Sequence, residues 1–189
     1  MEQSSRSDSE LVAQTLAGNR EAFGELYDRH ARIVRAVVAG VSGDWPAVED
    51  MTQECFLRAY RNLAKLRNLE GFRPWVVGIA RQVAHERRRS LRRDRHEFQD
   101  PRVAEIGSAE NSEADVDDHD EFDVVMKNLA TLPEQERLAI HAFFLAEKDG
   151  GESAELVGLS RSGFYALLQR AVARLAVKLK LSDLEEEKR

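Results

Sequence analysis

Arg81, Arg87, Arg88, Arg89, Arg92, Arg93 and Arg95 crowd the end of the first half of the chain, with few carboxylates between them. At 100° per residue, Arg81, His85, Arg88 and Arg92 form one stripe along a helix. The chemistry of such a stripe is electrostatic: it neutralises phosphates and is the footprint of a nucleic-acid binder. A second pattern lies upstream, in DMTQECFLRAY over residues 50–60. Read as a helix, it puts Val48, Met51, Cys55, Phe56, Ala59, Leu63 and Leu66 on one side. Asp50, Gln53, Glu54 and Arg61 fall on the other, with Leu57 among them. An apolar residue inside a polar rim is how a protein–protein anchor looks. A lone exposed leucine is equally an ordinary surface feature.

Covalent chemistry finds no footing. The sequence holds no G-x-x-x-x-G-K-[ST], no G-x-G-x-x-G and no H-E-x-x-H. His30, His85, His96, His119 and His141 are scattered, which suits structural or solvated roles better than ligand roles. Cys55 is the one cysteine, so there is no intrachain disulfide and no cysteine-based metal cluster. It falls on the apolar side of its helix and reads as a small buried hydrophobe. The carboxylates near residues 97–121 lack the D-x-[DN]-x-[DN]-G frame of a calcium loop. No catalytic set, cofactor or metal is expected.

The net charge of −6 looks wrong for a DNA binder until its distribution is read. The arginine cluster is followed by a strongly acidic segment, and this asymmetry says more than the sum. It also predicts that the free protein binds DNA poorly. A charged fraction of 33% and four prolines argue for helices with solvated faces, hence an all-α protein. No apolar run approaches a membrane span, and the polar start MEQSSRSDSE has no signal-peptide core, so a cytoplasmic protein without membrane insertion is expected.

The elements that position these residues follow from apolar spacing and caps. Residues 1–9 read as a disordered tail. A helix starting near Ser9 or Glu10 stops at Gly18-Asn19, and a second runs from Glu21 to Val41. Ser42-Gly43-Asp44 is a turn; Asp44 is the expected cap of the helix that Trp45-Pro46 opens. Arg67–Gly71 is a loop. The helix from about Arg73 has Phe72, Trp75, Val76, Ile79 and Val83 on its inner face. Residues 96–122 read as a flexible acidic linker. A second domain starts near Asp123, with Pro133 in the first turn of one helix and Asp149-Gly150-Gly151 as a turn. A short helix, Glu152 to Val157, ends at Gly158, and Ser160 caps a helix reaching about Leu181. That order makes a helix-turn-helix. Phe164, Leu168, Ala171 and Leu175 form its inner face, and Ser162, Tyr165, Ala166, Gln169 and Ala173 its outer one. Residues 182–189 are a charged tail.

DMTQECFLRAY resembles the D-x-x-Q-E-x-F-L-[RK]-[AV] helix of region two in bacterial RNA polymerase sigma factors, most of all the extracytoplasmic-function (ECF) group. FRPWVVGIARQVAHERRR resembles a second signature of that region. LPEQERLAIHAFF with ESAELVGLSRSGFYALLQRAVARL resembles region four. The resemblance implies two small helical domains, over 10–95 and 123–181, joined by the acidic linker. It implies binding of core polymerase, at the β′ clamp helices, by Asp50, Gln53, Glu54, Leu57 and Arg58. It implies reading of the promoter −10 element by Asn68, Arg73, Arg81, Gln82, His85 and Arg88. The −35 element would be read by Ser160, Arg161, Ser162, Tyr165, Gln169 and Arg170, and the second domain would touch the β flap. Gln82 stands where the family usually has Asn. Tyr165 and Leu167 replace two basic positions, which weakens the expected −35 recognition. An anti-sigma factor is an implied partner. The competing expectation is a sigma-like decoy adaptor that sequesters an anti-sigma factor.

Overall fold

The computed structural model describes residues 6–98, 118–145 and 150–186, with side chains for 6–93, 121–145 and 150–182. Among them every regular element is helical: α1 (Asp8–Leu16), α2 (Arg20–Ser42), α3 (Val48–Asn62), α4 (Phe72–Phe98), α5 (Asp118–Ala130), α6 (Glu134–Leu145), α7 (Gly150–Val157) and α8 (Arg161–Glu186), with short 3₁₀ turns at Leu63–Lys65 and Leu69–Gly71. The all-α expectation holds.

The N-terminal residues that read as a tail are partly ordered. Ser7 closes a capping box with Glu10, which starts α1 at Asp8, a residue or two earlier than expected. Asp8 then accepts hydrogen bonds from Arg29 at 2.6 Å and His30 at 2.7 Å, clasping α1 to α2. Asn19 ends the gap by capping α2 through the Glu21 and Ala22 amides.

Three other boundaries differ from expectation. Asp44 does not cap α3; Ala47 holds that position without a side-chain bond. The Trp45 carbonyl closes a turn onto the Val48 amide, and Asp44 instead accepts from Arg87 of α4 at 2.7 Å. Gly150 and Gly151 are not a turn but the first residues of α7. Gly150 is buried beneath Tyr165, whose hydroxyl would lie 2.4 Å from a Cβ there. Helix also invades both ends of the expected linker, since α4 runs to Phe98 and α5 starts at Asp118. Residues 99–117 lie outside the described residues, as do 1–5 and 187–189.

α2 is the axis of the molecule. α1, α3 and α4 pack around it, burying Leu11, Val12, Leu26, Val34, Cys55, Phe56, Phe72, Val76 and Ala80. Cys55 is held wholly inside, and burial pushes its thiol up to about 12, so it behaves as the expected small hydrophobe. A second core joins Leu129, Leu132, Ala139, Ile140, Ala154, Phe164, Leu167, Leu168 and Ala171 of α5–α8.

The two cores touch. From Ala36 to Val41 the α2 side chains are buried on every side, because α6 covers the face that the first core leaves bare. Leu138, Ala142 and Leu156 join the first core from the C-terminal half. Gly40 permits the approach: a Cβ there would stand 2.6 Å from the Leu138 Cα. Arg137 secures it. Its guanidinium donates to the Gly40 and Val41 carbonyls at 2.9 and 3.1 Å, and to those of Leu132 and Ala130 at 2.6 and 3.2 Å. The Gly40, Val41 and Ala130 carbonyls are orphan acceptors at the C-terminal ends of α2 and α5, where a cation is favoured, and Leu132 lies in the turn that follows α5.

Trp45 stacks on His141 across the same seam, with ring centroids 5.8 Å apart and planes 8° from parallel, and Phe122 meets the Trp45 edge. Burial, with Arg137 close by, lowers the His141 pKa to about 4. The folded state therefore binds fewer protons than the unfolded one between about pH 6.5 and pH 4, and stability falls as pH falls through that window. We expect wild type to lose about 2 kcal/mol more than His141→Phe between pH 7 and pH 5, read by urea denaturation at each pH.

Candidate functional site

The outward face of α3 forms because its inner face is consumed by the core. Met51, Thr52, Cys55, Phe56 and Ala59 are buried, while Asp50, Gln53 and Leu57 are exposed. Leu57 is 43% exposed and Tyr60 42%. Together with Arg20, Phe23, Tyr27, Gln53 and Phe56 they line an open groove of about 460 Å³. Its aromatic floor is ordered by ring contacts: Phe23 meets Tyr60 edge-on at 4.9 Å, and Tyr27 and Phe56 lie tilted at 4.5 Å. Leu57 is thus one wall of an apolar groove with polar residues at its margin, not an isolated surface leucine. Arg20, Phe23, Tyr27 and Tyr60 are not among the docking residues expected from the sequence. The signal for them is the R-x-x-F-x-x-x-Y spacing from Arg20 to Tyr27, which puts the three on one helical face.

Arg58 has a different task from its neighbours. Its Nε donates to Glu54 at 2.6 Å and its Nη1 pairs with Glu86 at 2.8 Å. These bonds raise the Arg58 pKa, and the same pairing lowers that of Glu86. Arg58 therefore ties α3 to α4 and fixes the Glu54 carboxylate at the edge of the exposed face.

α4 carries the arginine stripe, and its expected DNA-binding residues separate into two groups. Asn68 sits before the helix, where its Oδ1 accepts from the Glu70 amide at 3.1 Å and shapes the loop. Gln82 is exposed and donates to Glu86 at 3.0 Å. His85 is half-buried. Arg89, Arg92 and Arg93, with Glu86, border an open depression of about 480 Å³. The three arginines expected to contact DNA turn to the C-terminal half. Arg73 pairs with Glu152 at 2.8 Å, Arg81 donates to the Leu156 carbonyl at 2.6 Å, and Arg88 pairs with Glu134. The stripe exists, but four of the six expected −10 residues, Arg73, Arg81, Gln82 and Arg88, donate to protein acceptors.

α7, Gly158 and α8 form the helix-turn-helix expected from the sequence. Gly158 has φ +74°, the left-handed conformation that ends α7. The Ser160 hydroxyl accepts from the Gly163 amide at 3.2 Å and caps α8. Arg161, Ser162, Ala166, Gln169, Arg170 and Ala173 are exposed. Phe164, Leu168 and Ala171 face inward as expected; Leu167 joins them, and Leu175 packs at the edge of this core. Tyr165 is only 37% exposed. It leans on Phe143 at 6.4 Å and over Gly150, so much of its ring is seated inside the protein. Among the described residues there is no group of three or more His, Cys, Asp or Glu placed to hold a metal ion. No described helix is long and apolar enough to cross a membrane.

We expect Arg58→Met to lower stability by about 1 kcal/mol, the scale of a small exposed ion-pair network, as read by chemical denaturation. Its effect on the groove is expected to be slight, because the apolar walls do not depend on it.

Residues 26–94 match the family model described as Sigma-70 region 2. That span holds most of α2, all of α3 and the arginine stripe through Arg93. Over 178 residues the chain is 29% identical to the ECF RNA polymerase sigma factor BldN of Streptomyces coelicolor, covering 88% of this chain and 64% of that one. The chain spans less than two thirds of the length of the first curated relatives it matches, 42% and 64%. In fold it is similar to CnrH, solved in complex with the cytosolic domain of CnrY, with a TM-score of 0.58, 24% identity and coverage of 93% of this chain and 99% of that one. It is also similar to the sigma factor RpoE of Bartonella quintana, solved with the anti-sigma factor NepR, with a TM-score of 0.52, 22% identity and coverage of 84% and 96%. The region-2 match lies over both surface patterns, and the chain is similar over most of its length to RNA polymerase sigma factors of the ECF group.

Proposed function

We propose that this chain binds core RNA polymerase and directs it to promoters as an ECF sigma factor. The observation that carries the reading is the Leu57 groove on α3, with Asp50, Gln53 and Glu54 beside it, inside the segment that matches region 2. An apolar anchor rimmed by polar groups suits a helical partner surface such as the β′ clamp helices. In this reading residues 10–95 are region two and 123–181 are region four, with the acidic segment as the connection. The α4 stripe, Gln82 and the Asn68 loop hold the −10 strand by backbone charge and by capture of unstacked bases. The exposed face of α8, from Ser160 and Arg161 to Gln169 and Arg170, meets the −35 element. Tyr165, seated on Phe143, contributes less to that face than an extended basic side chain would. The chain itself performs no catalysis; polymerase does. It works in the cytoplasm and is held by an anti-sigma factor until its signal arrives.

We expect Leu57→Glu with Gln53→Ala to lower affinity for purified core polymerase at least 30-fold, with the helical circular dichroism unchanged. Run-off transcription from promoter fragments should fall in parallel. Wild-type affinity in the double variant would refute the groove as the docking site. Failure of the folded wild type to bind core polymerase would refute the sigma reading and favour the decoy adaptor.

A further inference from the structure

Gln82 differs from the arginines of α4, because an amide is suited to base edges rather than to phosphates. An amide has two unlike ends. Its oxygen accepts and its nitrogen donates, so what it reads depends on which end points outward. At position 82 that choice is made inside the protein. The Gln82 Nε2 donates to Glu86 Oε1, one turn further along α4, at 3.0 Å. The other Glu86 oxygen, Oε2, is held by Arg58 Nη1 at 2.8 Å, and Arg58 Nε donates to Glu54 at 2.6 Å. Each oxygen of Glu86 thus has its own task, and a continuous set of bonds runs from α3 to the outer side of α4. The Arg58 bond holds the Glu86 pKa below the ordinary carboxylate value, which keeps the group ionised. An ionised carboxylate only accepts. It takes the NH2 end of Gln82 and repels the oxygen, so the Gln82 Oε1 points away from Glu86 on an exposed residue.

The surrounding face suits a nucleic-acid strand. At 100° per residue, Gln82, Glu86, Arg89 and Arg93 follow one line along α4. Arg89 and Arg93 are exposed, and with Arg92 they border the depression beside Glu86. Arg81 and Arg88 lie on another side of the helix, turned to the C-terminal half. Cations along the Gln82 line track a phosphate backbone while an unstacked base lies against the amide.

We propose that Glu86 is a positioning residue for base readout: it turns the Gln82 amide so that its oxygen faces the strand, and the base met there is adenine or cytosine. Those two carry an amine, N6 or N4, where guanine and thymine carry a carbonyl, O6 or O4. An outward acceptor pairs with the first and opposes the second. The assignment rests on the sigma reading above, in which Gln82 meets the −10 strand.

The test uses holoenzyme, core polymerase with the full-length chain. A promoter located by mapping chain-dependent RNA 5′ ends is remade with its −10 region randomised, and the templates held in open complexes are sequenced. Wild type is compared with Gln82→Ala, Glu86→Lys and Glu86→Ala. The readout is the ratio of adenine plus cytosine to guanine plus thymine at each position, which a general loss of activity or stability does not move. Gln82→Ala finds the position: a wild-type preference of about 5-fold, the worth of one hydrogen bond, should vanish there. At that position Glu86→Lys should reverse the preference, because an ammonium only donates and draws the Gln82 oxygen to itself. Glu86→Ala should leave it near neutral, since the amide is then free to turn.

The proposal is overturned if Gln82→Ala changes no position, or if the position it changes favours guanine and thymine in wild type. It is also overturned if Glu86→Lys keeps the wild-type preference there. Should Glu86→Lys fail to fold, Glu86→Ala decides, and an unchanged preference refutes positioning. In all these cases wild type still opens promoters, so the sigma reading stands. Absence of any chain-dependent open complex with folded wild type would refute the sigma reading and this assignment together.

Discussion

One guanidinium sits at the centre of the seam between the two halves of this molecule. Arg137 is buried at 6% exposure, and its acceptors are backbone carbonyls on both sides of the seam. Burial lowers its pKa, but an arginine stays charged, so the cost of desolvation has to be met locally. The carbonyl ends of α2 and α5 meet it, since neither helix can satisfy its last acceptors internally. The same bonds fix α6 against α2. From that placement follow the Gly40–Leu138 contact, the Trp45–His141 stack and the reach of Glu134 and Glu152 to α4. An alkyl residue at position 137 would leave those carbonyls without their donor and loosen the seam at its centre.

Function divides along the same line. The face of α3 depends only on the N-terminal core, where burial of Met51, Cys55, Phe56 and Ala59 points Leu57 and Gln53 outward. It is complete before the C-terminal half is considered. The stripe on α4 is different, because its occupancy depends on how the halves sit. A protein of net charge −6 can keep a basic stripe idle by facing it with its own carboxylates.

Local features were legible in the sequence where local physics decides them. The helical spacing around DMTQECFLRAY placed every buried apolar residue of α3 and missed only Thr52, whose hydroxyl donates to the Val48 carbonyl, and Gly158 and Ser160 marked the turn of the helix-turn-helix. Asp44 misled, because an arginine far along the chain outcompeted the helix terminus for its carboxylate. Gly150 misled for a similar reason: Tyr165 needs the space above it, so the glycine serves a contact rather than a turn. The run Ala36–Val41 held a signal that was not used. Six residues without a polar side chain cannot face solvent on any side, and so implied a second partner for α2. Such a pattern announces a contact but not the identity of what makes it.

The central claim is that this chain gives core polymerase a promoter preference. The direct measurement is transcription by purified core polymerase on fragmented genomic DNA, with and without the full-length chain, with the RNA 5′ ends mapped by sequencing. The account predicts discrete start sites that appear only with the chain and vanish with Leu57→Glu, Gln53→Ala. The same scatter of starts with and without the chain would contradict it.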